Sequence, residues 1–173
     1  MSAPTDCSRS ATTHVRRLRR VPADRLIIAQ VLAACSADDL KMRFGNPLQR
    51  AENVDWTLPR APGDVASLVR VAGVACGTFL CCHNDDGGYE LAGLIATPWQ
   101  RRGLGRWALR WTLAQLPPSA LVCGQMDTVN TAARRLLQSE VRGIEIEYLG
   151  DIMTFEFRTD QLETALPPGY SVV

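Results

Sequence analysis

The sequence predicts a chain of the α/β (α+β) class, with a mixed, mostly antiparallel sheet of about six to seven strands flanked by about four helices. Three observations carry that prediction. Short apolar segments from Val65 onward are joined by turn-forming clusters, Asn84-Asp85-Asp86-Gly87-Gly88 and Gly150-Asp151, as antiparallel hairpins require. Other stretches repeat apolar residues at helical spacing and close on proline or glycine. The chain has 173 residues, 46% hydrophobic and 21% charged, which supplies a full core without disulfide or metal staples.

Taken in order, residues 14–21 (HVRRLRRV) alternate apolar and basic side chains and read as a basic first strand. A basic arm for nucleic acid is the other reading, but it lacks interleaved aromatics. Pro22-Ala23-Asp24 opens a helix whose face over 25–34 carries Leu26, Ile27, Val31 and Ala34. Ser36 caps a second, short helix that runs to Phe44 and stops at Gly45 and Pro47. Residues 45–63, punctuated by Pro59, Pro62 and Gly63, read as an irregular connection of the kind that often serves function. Segments 65–72, 74–82 and 89–96 form an antiparallel meander. Asp85 and Asp86 within it belong to a plain turn, since no further ligand stands at the spacing a calcium loop needs. Residues 103–116 form a helix with Leu109, Leu113 and Leu116 on one side, ended by Pro117-Pro118. A strand over 121–126, a helix over 130–138 and a hairpin of 144–149 with 152–157 complete the order β-α-α-β-β-β-α-β-α-β-β. Residues 1–13 and 161–173 read as tails around one domain spanning 14–160.

Charge excludes several functions. Nineteen basic against 18 acidic groups give a formal net charge of +1, which argues against a nucleic-acid partner. The sum conceals unequal parts: +1 over residues 1–90, +4 over 91–126 and −4 over 127–173. Between Glu90 and Asp127 there is no carboxylate, but there are Arg101, Arg102, Arg106 and Arg110. The longest uncharged apolar run, 71–82, falls short of the ~18 residues of a membrane helix, so no membrane association is expected. Residues 1–13 lack the apolar stretch of a secretory signal, so a cytoplasmic protein with reduced thiols is expected. Cys76, Cys81, Cys82 and His83 cluster without a C-x-x-C pair, and neighbours in a strand point to opposite faces, so no metal site is expected. Trp107 and Trp111 are either core or a dimer patch, which leaves a homodimer open.

The segment from Thr97 to Arg106 (TPWQRRGLGR) carries the chemistry. Glycines 103 and 105 let the backbone turn with its N–H groups converging at a helix N-terminus, a ready anion site. Arginine in a first helical turn opposes the helix dipole by roughly 0.3 to 1 kcal/mol, and a phosphate reverses that sign. Arg102, Arg106 and Arg110, at i, i+4 and i+8, extend the site as a stripe. A Walker loop is excluded because the chain's only lysine is Lys41. The dinucleotide fingerprint matches Gly103-Leu104-Gly105-Arg106-Trp107-Ala108, with Asp127 further on. Six residues between Ala96 and Gly103 and the upstream hairpin speak against it.

Gln100-Arg101-Arg102-Gly103-Leu104-Gly105 resembles the acyl-CoA-binding motif Q/R-x-x-G-x-G/A of the GNAT superfamily of N-acyltransferases. The strand Glu90-Leu91-Ala92-Gly93-Leu94-Ile95 matches the family's E-x-x-x-x-V/I, and Asn130-Thr131-Ala132-Ala133 matches N-x-x-A. Ser36 to Asp39 with Arg43-Phe44 is similar to a further motif of a subset of that family. The resemblance spans residues 14–158 and implies the GNAT fold and acetyl-CoA as co-substrate. It implies that the amides of Gln100, Arg101, Arg102, Gly103, Leu104, Gly105 and Arg106 cradle the pyrophosphate. The exposed backbone of Ile95, Ala96 and Thr97 would pair with the pantetheine arm, and Asn130 would contact the coenzyme or cap its helix.

The reaction so implied is direct transfer of an acyl group to a primary amine of a small molecule or protein. An alkylammonium must lose a proton first. Glu90 is the candidate base, through a water if needed, or else an exposed strand-end carboxylate. Glu145, Glu147, Asp151 and Glu156 offer an acidic approach for a cationic amine, or a solvated hairpin face. Where many relatives carry a tyrosine acid, this sequence has Leu137, leaving Tyr148, Tyr89 or solvent to protonate the thiolate. A catalytically silent coenzyme-binding module is therefore the alternative, and a dinucleotide-binding domain a more distant one.

Overall fold

The structure, a computed structural model, describes residues 13–45 and 50–163. Its strands are β1 (Thr13–Arg17), β2 (Val65–Val71), β3 (Val74–His83), β4 (Tyr89–Ile95), β5 (Leu121–Asp127), β6 (Glu145–Leu149) and β7 (Ile152–Arg158). Its helices are α1 (Pro22–Ala33), α2 (Ala37–Phe44), α3 (Arg50–Asp55), α4 (Leu104–Leu113) and α5 (Thr131–Glu140). The strands form one seven-stranded sheet in the order β1-β2-β3-β4-β5-β7-β6. Every neighbouring pair is antiparallel except β4 with β5. This is the mixed, mostly antiparallel sheet expected from the turns, and it excludes a doubly wound parallel sheet.

Local chemistry explains the elements. Pro22 begins α1 at its first position, where a missing N–H costs nothing. The Ser36 side chain caps α2 by accepting from the Asp39 amide at 3.1 Å, and Gly45 at φ 72° ends it. In the turn between β2 and β3, Ala72 and Gly73 both take positive φ, 49° and 82°, the conformation that suits the twist of a two-residue hairpin.

Both faces of the sheet are covered. Val69, Phe79, Cys81, Tyr89 and Leu91 join Trp107, Leu109 and Trp111 of α4 and Leu137 of α5 in one core. Leu68, Leu80, Cys82 and Leu94 join Ile28 and Val31 of α1, Leu40 of α2 and Val54 of α3 in the other. Cys81 and Cys82 thus lie on opposite faces, as strand alternation demands. Trp107 and Trp111, each 4% exposed, are core residues and form no dimer patch.

Three expectations change. The connection over 45–63 contains a helix, α3, joined to α1 by the ion pair of Arg25 with Asp55; six residues are too few to register as a periodic pattern. Residues 46–49 of that stretch lie outside the described residues. The helix expected over 103–116 ends at Leu113, and its last turn tightens to Gln115–Thr112 and Leu116–Leu113 bonds ahead of the two prolines. The tails expected over 1–13 and 161–173 lie largely outside the described residues, although Thr13 belongs to β1 and Gln161 to a final 3₁₀ turn.

Candidate functional site

The site begins where two strands part. β4 and β5 pair only at Tyr89 with Val122 and Glu90 with Cys123, so beyond Glu90 the edges of β4 and β5 are unpaired with each other. An extra residue in β3, Cys76, bulges opposite the end of β4, and its carbonyl accepts the Ala96 N–H at 2.8 Å. Because Ala96 points its N–H at β3, alternation turns the backbone groups of Leu91, Gly93 and Ile95 toward the gap. The Ile95 carbonyl there accepts from Gln100 Nε2 at 3.0 Å. The expected three-residue edge therefore narrows: Ala96 is fully buried with its N–H spent on β3, and Ile95 faces the gap.

A 3₁₀ turn, Thr97–Trp99, leads from β4 into a loop whose backbone is unusual in two places. Arg101 takes φ 60°, and Gly103, the residue that precedes α4, takes φ 77° and ψ −4°. Glycine alone enters this left-handed region without penalty, which is why it stands at 103. No side chain caps α4, and its first helical bond runs from the Trp107 amide to the Gly103 carbonyl at 3.2 Å. The amides of Leu104, Gly105 and Arg106 thus have no acceptor within the helix, and no acidic residue stands in the first turn. Gln100, Arg101, Arg102, Gly103 and Arg106 are exposed, whereas the Leu104 side chain is buried, so only its backbone can serve a ligand. Arg102 lies over the Trp99 ring, 5.0 Å from its centroid. Uncapped amides beside exposed arginines fit a phosphate group.

Two arginines of the expected stripe are committed elsewhere. Glu140, at the end of α5 and 1% exposed, receives Arg106 Nε at 2.6 Å on one oxygen and Arg110 Nε on the other. A carboxylate at that depth needs such partners. Arg106 and Arg110 accordingly tie α4 to α5, and the cationic groups left at the loop are Arg101 and Arg102.

On the opposite side of the gap the register aligns side chains that are far apart in sequence. Glu90 pairs with Cys123, Cys123 with Glu156 and Glu156 with Glu145, placing the three carboxylates in one row on the same face. They line a cavity of about 640 Å³ together with Glu147, Gln125 and Asn84. Asp151, expected to belong with these acids, lies in the β6–β7 turn and does not line it. Burial, followed by the Glu90 and Glu156 charges, pushes the Cys123 thiol up. Arg43 of α2 faces Glu90 from the covered side; burial lowers its pKa to about 10 against the opposing pull of Glu90. The Arg43–Glu90 approach had no signal in the sequence, because it depends on where α2 lands on the sheet.

The remaining candidates separate cleanly. Asn130 caps α5 by accepting from the Ala133 amide at 3.1 Å. Leu137, 4% exposed, packs in the core. Tyr89 packs edge-on against His83 at 5.3 Å, and its side chain joins the core on the face away from Glu90. Tyr148 is 55% exposed on β6.

No family model and no curated protein matches the chain. Solved structures do match it in fold. An acetyltransferase from Thermus thermophilus superimposes with a TM-score of 0.68 at 19% identity, covering 86% of this chain and 99% of that one. A Salmonella typhimurium structure carrying acetyl-CoA as its cofactor gives 0.60 at 15%, covering 91% and 99%. The ribosomal-protein-S18-alanine N-acetyltransferase of Escherichia coli gives 0.62 at 14%, covering 92% and 100%. The chain has the fold of the GNAT acetyltransferases.

Proposed function

We propose that this protein is an acetyl-CoA-dependent N-acetyltransferase that transfers the acyl group directly to a primary amine of a small molecule or protein. The observation that carries the reading is the parting of β4 from β5, with uncapped amides at the start of α4 near the end of β4 and a carboxylate-lined cavity beginning at Glu90. The acetyl-CoA in one structural neighbour and the protein amine named for another support the same division of the site.

Acetyl-CoA supplies an activated acyl group as a thioester. The chain's own residues do the rest. The amides from Arg101 to Arg106, with the Arg101 and Arg102 side chains, hold the pyrophosphate; the Gln100 amide, expected to join them, donates instead to the Thr97 carbonyl at 3.3 Å. The Ile95 edge pairs with the pantetheine arm as an added strand would, and its N–H polarises the acyl carbonyl. The four glutamates of the cavity attract an ammonium group, and Glu90 removes its proton, directly or through a water. Leu137 supplies no acid, so solvent protonates the departing thiolate. That apolar residue also favours a second reading, a coenzyme-binding module without transfer activity.

Thermal melts test the first step. Acetyl-CoA at about 100 times its Kd adds about 2.7 kcal/mol of stability, while NAD adds none. Stabilisation by NAD alone refutes the coenzyme assignment. Release of CoA with a panel of amines, polyamines and peptides tests the second step, and tight binding without turnover on any of them selects the silent module.

A further inference from the structure

The turn that carries β4 into α4 is held from outside its own segment. The Ser36 amide donates to Thr97 Oγ1 at 2.7 Å, and the Thr97 hydroxyl donates in turn to the Asp39 carboxylate. The Thr97 hydroxyl is thereby used in both directions, once as acceptor and once as donor. On the other side of the turn, Gln100 spans back to the Ile95 carbonyl. Burial pushes the Asp39 carboxyl up, but hydrogen bonds from Thr97, Gln100 and Ser36 outweigh it and hold its pKa below the usual carboxylate range. Asp39 is therefore anionic at neutral pH, and its bonds to this turn are charge-assisted.

A carboxylate here calls for a reason. Residues 91–126 contain no acid of their own, as a phosphate-binding segment requires, yet the fold brings one to it from 58 residues upstream in the chain. Its charge is met by donors of the turn. The turn it grips joins the two surfaces assigned to opposite parts of the coenzyme, the Ile95 edge and the α4 amides. Small errors in their relative placement are costly for an extended ligand that must meet both.

We propose that Asp39 is a positioning residue for the coenzyme: through Thr97 and Gln100 it sets the turn between the Ile95 strand edge and the α4 amides, so that both are in register before the ligand arrives. This rests on the coenzyme reading above. Pre-organisation of this kind raises affinity without any contact between Asp39 and the ligand.

The test combines acetyl-CoA calorimetry with hydrogen exchange of the ligand-free protein, on Asp39→Ala, Thr97→Val and Thr97→Ser. Asp39→Ala and Thr97→Val each weaken acetyl-CoA about tenfold, as loss of a hydrogen bond to a charged group allows, and speed exchange of the amides over 97–103. The double variant is no weaker than about the worse single one, because the two residues act as a unit. Thr97→Ser, which keeps the hydroxyl, restores affinity to within about twofold of wild type. In turnover, the KM for acetyl-CoA rises while that for the amine stays. Thr97→Val keeps the capping bond from the Asp39 amide to Ser36 Oγ but strips the Ser36 amide of its acceptor, so Thr97→Ser, which retains that acceptor, keeps the test open if Asp39→Ala or Thr97→Val disturbs the helix. Wild-type binding with unchanged affinity in both variants overturns the role of Asp39 alone, as does failure of Thr97→Ser to restore it. A wild-type protein with no affinity for acetyl-CoA overturns the coenzyme reading itself.

Discussion

Replacing Glu140 by glutamine separates structural arginines from ligand-binding ones. Glu140 is 1% exposed and spends one oxygen on Arg106 Nε and Ser139 Oγ, at 2.6 and 3.2 Å, and the other on Arg110 Nε. Glutamine keeps the shape but offers one acceptor oxygen, and its amide N–H groups confront the second guanidinium. A hydrogen bond to a charged group contributes about 1.5–3 kcal/mol. Arg106 is 54% exposed and relaxes into water at little cost, so the loss falls mainly on Arg110, at 15% exposure. The expected destabilisation is about 2 kcal/mol, which for a chain of this length lowers Tm by about 4–8 °C. Thermal and urea unfolding read that loss, and calorimetry reads acetyl-CoA affinity, which is expected to stay within about threefold of wild type. An unchanged Tm with lost affinity refutes the argument and returns Arg106 and Arg110 to the phosphate.

The two loop glycines are expected to differ. Gly103→Ala forces a side chain into φ 77° and costs about 1–2 kcal/mol along with coenzyme affinity, although no atom lies within 4 Å of the new Cβ. Gly105→Ala places its Cβ 3.5 Å from Leu136, an ordinary contact, and raises helix stability by up to about 1 kcal/mol, so equal melting temperatures for the two variants contradict this account. Glu90→Gln lowers turnover most at neutral pH, where the amine is protonated, and an unchanged pH–rate profile removes Glu90 from its role. Asp64 accepts from the Arg60, Ala61 and His83 amides at 2.7, 2.9 and 2.9 Å; burial raises its pKa, but these bonds outweigh burial and leave it depressed. Its contribution to stability is therefore full above the unfolded pKa of about 3.9 and disappears as pH falls through the lower folded value. Asp64→Asn loses that contribution at neutral pH and flattens the acid limb of the stability curve; a limb as steep as wild type counts against it.

The strands were legible because their signals are local. Asn84 to Gly88 and Gly150-Asp151 turn the chain over a few residues, and Pro22 and Ser36 begin helices where they stand. The site was legible as far as one segment carries it: Gly103 in its left-handed conformation, the uncapped α4 and Glu90 at the last β4–β5 pair all follow from residues 90–106. What escaped depends on partners distant in the chain. No local pattern says that Glu140 lies against Arg106 and Arg110, 30 or more residues before it, or that Asp39 reaches Thr97. The Ala96 N–H belongs with these contacts, since it is taken up by a bulge on another strand.

These long-range contacts also redistribute the charge. The +4 of residues 91–126 is not all available to an anion, because Glu140, drawn from the −4 segment that follows, neutralises part of it inside the fold. What remains near the loop is Arg101 and Arg102, next to amides that a helix dipole already makes positive. The acids that remain of that segment gather at the cavity, where Glu145 stands directly opposite Glu156 across a strand pair. Like charges so placed repel and destabilise the empty hairpin, and a bound ammonium relieves the repulsion. The polarity read from the sequence therefore survives in reduced form, with a small positive surface at the start of α4 and, beyond Glu90, an acidic one whose glutamates have no ion-pair partner among the described residues. Under the proposed function, an amine acceptor would be drawn to the second without competing for the first.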